Sequence, residues 1–362
     1  MISPMASQSS LDIIIIGYNE GTLLRDCIHS AKLAAAELRD RTGIPALITY
    51  VDSDSTDSSV ALARAEGLPV LRAPPGYRTP ANARNTGMFL THGDFVQFLD
   101  GDMTLELGWL PAGIAFLSSR SDVAGVAGYR DDIRPTALGP LHIKNYYKSP
   151  AHALPAGDSL GGAFLFHRRA LEAIRGFNPA CHEEELYAKM AFADLRLGLY
   201  RIPHPMIVHH DEKIATFRQK MENAFGVRSR SQGQMLRHAF KSLARLRCIL
   251  YAYRWIFLHL SVLFVLGLGG AVWKFSTHAG NELPFALAAI ASIYTLWLIY
   301  QREGIYRGGF AWLALSVEAI NLVIYAFLPI RDFSENTEAN TDYLAKIEAL
   351  NRMKSTPPRN PS

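Results

Sequence analysis

Cysteine is scarce in this chain: three residues in 362, at Cys27, Cys181 and Cys248, far apart from one another. That spacing excludes a disulfide framework and a paired-cysteine zinc site, and a reducing compartment is the simplest expectation. Charge is sparse too. Charged residues make up 19% of the chain and the formal net charge is +4, too small an excess to argue for a nucleic-acid partner. Met1–Ser10 lacks a basic leader, and the run Ile13–Ile16 is too short for the core of a signal peptide. It reads instead as a strand buried on both faces.

Over the first 200 or so residues, strand-like and helix-like segments alternate. Leu11–Ile16, Ala46–Val51, Leu68–Arg72 and Asp94–Leu99 have strand character. Gly21–Arg41, a segment starting at Thr56-Asp57, and Ala81–Thr91 have helical character. Such alternation predicts an α/β fold, a parallel sheet with helices on both faces, whose ligands bind beyond the carboxyl ends of the strands. Three polar loops fall there: Tyr18–Glu20, Asp52–Asp57 and Asp100–Asp102. The section from about Arg130 to Leu160 is less regular and reads as an acceptor pocket or a surface excursion. Beyond it, Gly161–Phe166 and Leu199–Ile202 are predicted strands, and Arg168–Gly176 and Glu183–Leu197 predicted helices.

The apolar excess, 49% overall, piles up late in the chain. Trp255–Trp273, Leu283–Tyr300 and Phe310–Ile330 are each near twenty residues, long enough to cross a hydrocarbon core of roughly 30 Å. Three transmembrane helices are therefore expected. Basic residues Arg237, Lys241, Arg245, Arg247 and Arg254 precede the first. They predict an N-terminal domain in the cytoplasm and a C-terminus on the opposite side of an inner membrane. Leu236, Phe240, Leu243, Leu246 and Leu250 share one face of a helix predicted over Met235–Tyr253, which would lie in the membrane interface or pack on the domain. Arg228–Gln234 would meet a diphosphate or anionic lipid, and Glu318 falls inside the third apolar segment.

Two carboxylates one residue apart, Asp100 and Asp102, end the apolar run Phe95–Leu99. At a strand end such a pair can hold a divalent cation, and the cation a diphosphate. Together with Ile15-Ile-Gly-Tyr-Asn-Glu20, Val51-Asp-Ser-Asp-Ser-Thr-Asp57 and Ala83-Arg-Asn85, the Asp100-Gly-Asp102 motif resembles family 2 glycosyltransferases of the GT-A fold, over roughly residues 11–210 and in the right order. The resemblance implies a GT-A domain over 11–215, preceded by a disordered 1–10. After it come basic amphipathic helices over 216–254, the membrane helices over 255–330 and a polar tail over 331–362, disordered beyond about Ser355.

It also implies roles. Asp52 would meet the nucleotide base, with Tyr18 and Glu20 lining the pocket and Arg84 beside phosphate or the acidic cluster. Asp102 would contact Mg²⁺ or Mn²⁺ directly, and Asp100 would contact the ribose or reach the metal through water. His209 or His210 matches a metal-binding position. Gly162 would lie near the sugar. The general base that takes the acceptor's proton falls at Glu183, with Glu184 as the alternative. Asp54 stands where the family has glycine, and His182-Glu183 where it has Glu-Asp. The implied activity is inverting, metal-dependent transfer of a sugar from a nucleotide-diphosphate donor to a saccharide or lipid-linked acceptor, in envelope or exopolysaccharide synthesis. Two alternatives stand beside it, a processive polysaccharide synthase and a non-catalytic membrane scaffold.

Overall fold

The computed structural model describes residues 9–75, 79–136, 139–149, 151–155, 161–180, 183–211, 227–275, 282–301, 305–327 and 337–355. Two compact units form, Met1–Ile214 with Arg331–Ser362, and Ala215–Ile330.

The first unit is built on the isoleucine run. Strand β1 (Leu11–Gly17) is buried along its whole length, because it lies between β2 (Ala46–Asp52) and β4 (Phe95–Asp100), both parallel to it. Its crossover helices are α1 (Leu23–Thr42), α2 (Ser59–Ala65) and α3 (Pro80–Leu90), and β3 (Val70–Arg72) forms the edge. The rest of the sheet is mixed. Beyond β4 come β9 (Phe164–His167), β6 (Val123–Thr136), β10 (Gly198–His210) and β5 (Met103–Leu105). Strand β9 runs antiparallel to both its neighbours. Short β7 (Gly139–Ile143) and β8 (Leu154–Pro155) pair with β6 and β10. Helices α4 (Trp109–Ser118), α5 (Arg168–Ala173) and α6 (Glu184–Asp194) complete the unit's first 211 residues.

Two expectations are corrected. The irregular section begins later than expected, since β6 continues to Thr136 and turns back as β7. The last strand is thirteen residues long rather than four. Pro203 and Pro205 hid it. They interrupt the pairing with β6, and the register shifts between Arg201 and Ile207 absorb them as bulges.

Arg168 fastens the bottom of the sheet. Its buried guanidinium donates to Asp12 Oδ2 (2.6 Å), Thr91 Oγ1 (3.0 Å), the Met88 carbonyl (2.5 Å) and the Gly93 carbonyl. A buried ion pair offsets its desolvation only when its remaining polar atoms are also satisfied, as here.

The expected polar tail is a helix, α12 (Thr337–Ser355), which packs back onto the first unit. Tyr343 and Ile347 are buried against Phe89 and Leu90 of α3, and the Tyr343 hydroxyl donates to Asn82 Oδ1 at 2.5 Å. This contact corrects the expected C-terminus across the membrane, because α12 and the domain it packs on must lie on one side.

In the second unit α7 (Val227–Ala239), α8 (Leu243–Ala252), α9 (Arg254–Phe275), α10 (Glu282–Gln301) and α11 (Ile305–Ala326) follow in order. The single helix expected over Met235–Tyr253 is broken. Ser242 is extended and its hydroxyl caps α8 by accepting the Arg245 N–H at 3.1 Å, so the leucine stripe is split between two helices. Helices α9, α10 and α11 occupy the three apolar segments, but among the described residues only Arg254–Lys274 is long and apolar enough to cross a membrane. His259 joins the three helices, its ring nitrogens 3.0 Å from the Tyr294 hydroxyl and 2.9 Å from the Ser316 hydroxyl. Phe264, Phe285, Ile293 and Leu296 are exposed on this unit. Glu318 is half-buried. The side chains of Arg228 and Arg230, and all of residues 1–8, 181–182 and 356–362, lie outside the described residues.

Candidate active site

The parallel strands end together. Gly17 pairs with Asp52, and Ile16 with Asp100, so the two carboxylate-bearing positions stand two strand spacings apart, about 10 Å. Glu20 bridges them. A Cβ on Gly17 would meet its Cγ at 2.8 Å, and one on Gly101 at 2.7 Å. The loops after β1 and β2 are stapled together. Asn19, at φ 58°, accepts the Thr56 N–H (2.8 Å) and donates its own N–H to Ser55 Oγ (3.0 Å). Asp57 is bound to both loops, accepting the Gly21 N–H (3.0 Å) and the Ser59 N–H (2.9 Å). Asp54 takes the left-handed conformation at φ 73° that glycine would favour, so the loop keeps a turn that Asp tolerates.

Asp52, expected to meet the nucleotide base, is fully buried, and its carboxylate accepts the N–H groups of Asp54 and Ser55 at 3.2 Å, with Arg72 Nε at 3.8 Å. These bonds organise the loop after β2. Tyr18, 45% exposed beside it, presents the accessible surface.

Arg84 links the second pair of acids. It is buried and donates to Asp100 Oδ1 (3.1 Å) and Glu184 Oε1 (2.7 Å). Burial raises the Asp100 carboxyl to about 6, opposed by Arg84 and reinforced by Asp102 and Glu185. Burial raises Glu184 too, with Arg84 opposing. Glu184 is thus committed to Arg84. Glu185 accepts the Gly162 N–H at 3.2 Å. Glu183 stands half-buried at the N-cap of α6. Gly162 is needed as glycine. Its φ is +78°, and a Cβ there would sit 2.3 Å from Asp100 Oδ2.

Of the two histidines, the one beside Asp102 is His209, with Nε2 3.2 Å from Asp102 Oδ2. His210 lies on the other face of β10, 3.4 Å from the Thr104 hydroxyl. Burial lowers the His209 pKa, but the hydrogen bond and charge of Asp102 outweigh it and the net shift is upward. Asp132, His209 and Asp211 offer ligand atoms within 4.8 Å of one another. Asp132, however, already accepts from Arg130 Nε (2.6 Å) and an Arg134 amino group (2.7 Å). The other flank is better suited. Among the described residues Asp102 Oδ1 is buried with no hydrogen-bond partner, and Asp211 Oδ1 is 3.8 Å from His209 Nε2. A buried carboxylate oxygen without a donor costs free energy unless something binds it, and an oxygen–imidazole–oxygen set suits Mg²⁺ or Mn²⁺.

Sequence reasoning missed Asn19, Arg72, Arg130, Asp132 and Glu185. Arg130, Asp132 and Arg134 recur every second residue, a strand-face signal that the Gly- and Pro-rich surroundings masked.

Residues 12–175 match the family described as Glycosyl transferase family 2, a segment that includes Asp100 and Asp102 and ends before Glu183 and His209. No curated protein matches the chain by sequence. Among solved structures, the mannosyltransferase PcManGT from Pyrobaculum calidifontis, in complex with GDP-Man and Mn²⁺, is similar with TM-score 0.57 and 19% identity over 88% of each chain. S. aureus TarS residues 1–349, in complex with UDP-GlcNAc, is similar with TM-score 0.51 and 13% identity over 88% of this chain and 90% of that one. At these identities the likeness is one of fold. The family match supports a family 2 glycosyltransferase domain over residues 12–175, and the two solved structures share its fold.

Proposed function

We propose that this protein is an inverting glycosyltransferase that moves a sugar from a nucleoside-diphosphate donor to a hydroxyl of a saccharide or lipid-linked acceptor at a membrane. The observation that carries the proposal is the paired Asp102 and His209, with a buried oxygen on Asp102 that has no partner among the described residues, at the strand ends beside Asp100. The Pyrobaculum calidifontis mannosyltransferase is in complex with GDP-Man and Mn²⁺, and TarS with UDP-GlcNAc. Their donor class is carried over here by analogy of fold.

In this reading Asp102, His209 and Asp211 hold Mg²⁺ or Mn²⁺, with Asp100 beside them. When bound, the cation supplies positive charge for the diphosphate leaving group. Tyr18 faces the nucleotide, and Asp52 and Asn19 fix the loop that carries it. Arg84 fixes Asp100 against Glu184. Gly162 allows the donor sugar close to the backbone. Glu183 takes the acceptor hydroxyl's proton as its oxygen forms the bond to the anomeric carbon, on the face opposite the departing diphosphate, so configuration inverts. Protonating His209 would remove its Nε2 lone pair, so cation binding requires it neutral. Its Nδ1 faces an Arg130 amino group at 2.9 Å and Asp132 Oδ1 at 3.7 Å, and ligation through Nε2 would turn Nδ1–H toward Asp132.

The test uses the whole chain in detergent or nanodiscs with a panel including UDP-GlcNAc and GDP-mannose, with and without Mn²⁺. Asp102→Ala is expected to abolish metal-dependent donor binding. Glu183→Gln is expected to retain donor binding and lose roughly 10²–10⁴-fold in kcat. Full activity in both variants would overturn the proposal.

A further inference from the structure

Helix α12 does more than rest on the first unit. Asn351 uses both halves of its side-chain amide on one residue of the edge strand. Its Oδ1 accepts the Arg72 N–H at 3.0 Å, and its Nδ2 donates to the Arg72 carbonyl at 3.3 Å. The pattern is that of a neighbouring strand, supplied by a side chain, at the open edge of the sheet. The Arg72 guanidinium lies 3.8 Å from Asp52 and 4.0 Å from Asp54, in the loop that carries the candidate nucleotide pocket. Two turns earlier on α12, Tyr343 grips Asn82, whose Nδ2 donates to the Pro74 carbonyl at 2.9 Å. Asn82 lies two residues before Arg84 on α3. One face of α12 therefore holds the backbone under two separate charged groups of the candidate site.

We infer that α12 is a positioning element of the donor site, and that Asn351 is a positioning residue that aligns Arg72 with the Asp52–Asp54 loop for a nucleoside diphosphate. The inference rests on the glycosyltransferase reading above. Strand β3 is three residues long, with only β2 as a strand neighbour. Without the amide pairing its end frays, the guanidinium swings away, and the loop loses the cation beside Asp52. The effect belongs to binding rather than chemistry, because Asn351 acts through Arg72, whose guanidinium stands beside Asp52 and Asp54.

The experiment measures binding of UDP and of GDP, each with Mn²⁺, by calorimetry on the full chain, together with amide exchange over residues 70–73. Asn351→Ala is expected to weaken binding about tenfold, as loss of roughly one hydrogen bond's worth of ordering implies. It is also expected to speed exchange at Arg72 and to raise donor KM with kcat little changed. Asn351→Asp keeps the acceptor for the Arg72 N–H and is expected to fall between Ala and wild type. Lys346→Ala, at an exposed α12 position whose Nζ lies 2.6 Å from Asp342 within the helix, is the control for a change in helix stability. Wild-type affinity in Asn351→Ala, with Arg72 exchange unchanged, overturns the inference and leaves the glycosyltransferase reading intact. A wild-type chain that binds neither nucleotide overturns both.

Discussion

Asp100 has neighbours that pull in opposite directions. Burial and the charges of Asp102 and Glu185 hold its proton on, and Arg84 draws it off, leaving a carboxyl that titrates at about 6. A carboxylate beside a cation must give up that proton to help hold it. The sign follows: Mn²⁺ affinity is expected to rise with pH between 5 and 7, by up to about tenfold per unit below the carboxyl's titration point, and to level off above it. His209, whose pKa is raised, works in the same direction. Calorimetric titration of Mn²⁺ at several pH values checks this, with Asp100→Asn expected to flatten the lower part of the curve. A flat profile in the wild type would remove Asp100 from the cation site. At this scale the sequence was most informative where chemistry is packed into a short run. Asp100-Gly-Asp102 was legible because its carboxylates stand one residue apart, whereas Asp54, standing where the family has glycine, left the shape of its loop open until its left-handed φ of 73° was seen. The choice of His209 over His210 was not legible, because only the pairing of β10 with β5 decides which ring faces Asp102. The commitment of Glu184 to Arg84 was equally hidden, since the pair is 100 residues apart in the chain.

Among the elements, β1 was the most legible, since four consecutive isoleucines suit only a strand covered on both sides. Strand β10 was legible only in part, because two prolines mimic a loop and only the partner strands show that bulges accommodate them, and β5, β6, β7 and β8 were not expected at all. The helix expected over Met235–Tyr253 failed for a related reason. A stripe of apolar residues fixes a face but not continuity, and Ser242 offered a cap in its middle. The short helix α5 gains its importance from its first residue. Arg168 satisfies Asp12, Thr91 and two carbonyls at once. Arg168→Met is expected to lower stability by about 3–5 kcal/mol, because Asp12 is left as an unpaired buried charge. Chemical unfolding of the domain's spectroscopic signal measures it. Adding Asp12→Asn is expected to recover part of the loss, and strict additivity of the two substitutions would argue against a shared network.

For the whole molecule, the catalytic half was legible through alternation of elements, whereas the relation of the C-terminus to the rest was not. Three apolar segments suggested three crossings and the basic residues around them an orientation, yet α12 packs on α3 and β3. A chain whose two ends share one domain crosses a bilayer an even number of times or not at all. Among the described residues only Arg254–Lys274 is long and apolar enough to span, and a single crossing by it would part α12 from the domain it packs on. Protease protection in sealed vesicles of both orientations tests this. A tag after Ser362 and the N-terminal domain are expected to be cut from the same face, and a tag cut only from the opposite face would contradict the packing of α12.

The position of that helix also orders events in time. Arg72 leaves the ribosome 279 residues before the side chain that pairs with its backbone, and at typical elongation rates that delay is tens of seconds. During it the sheet edge is bare, and the apolar helices must find their surroundings before Asn351 exists to cover it. A truncated or stalled product would therefore carry every acidic group of the site and still present an unfinished edge, a form that cellular quality control can recognise and remove.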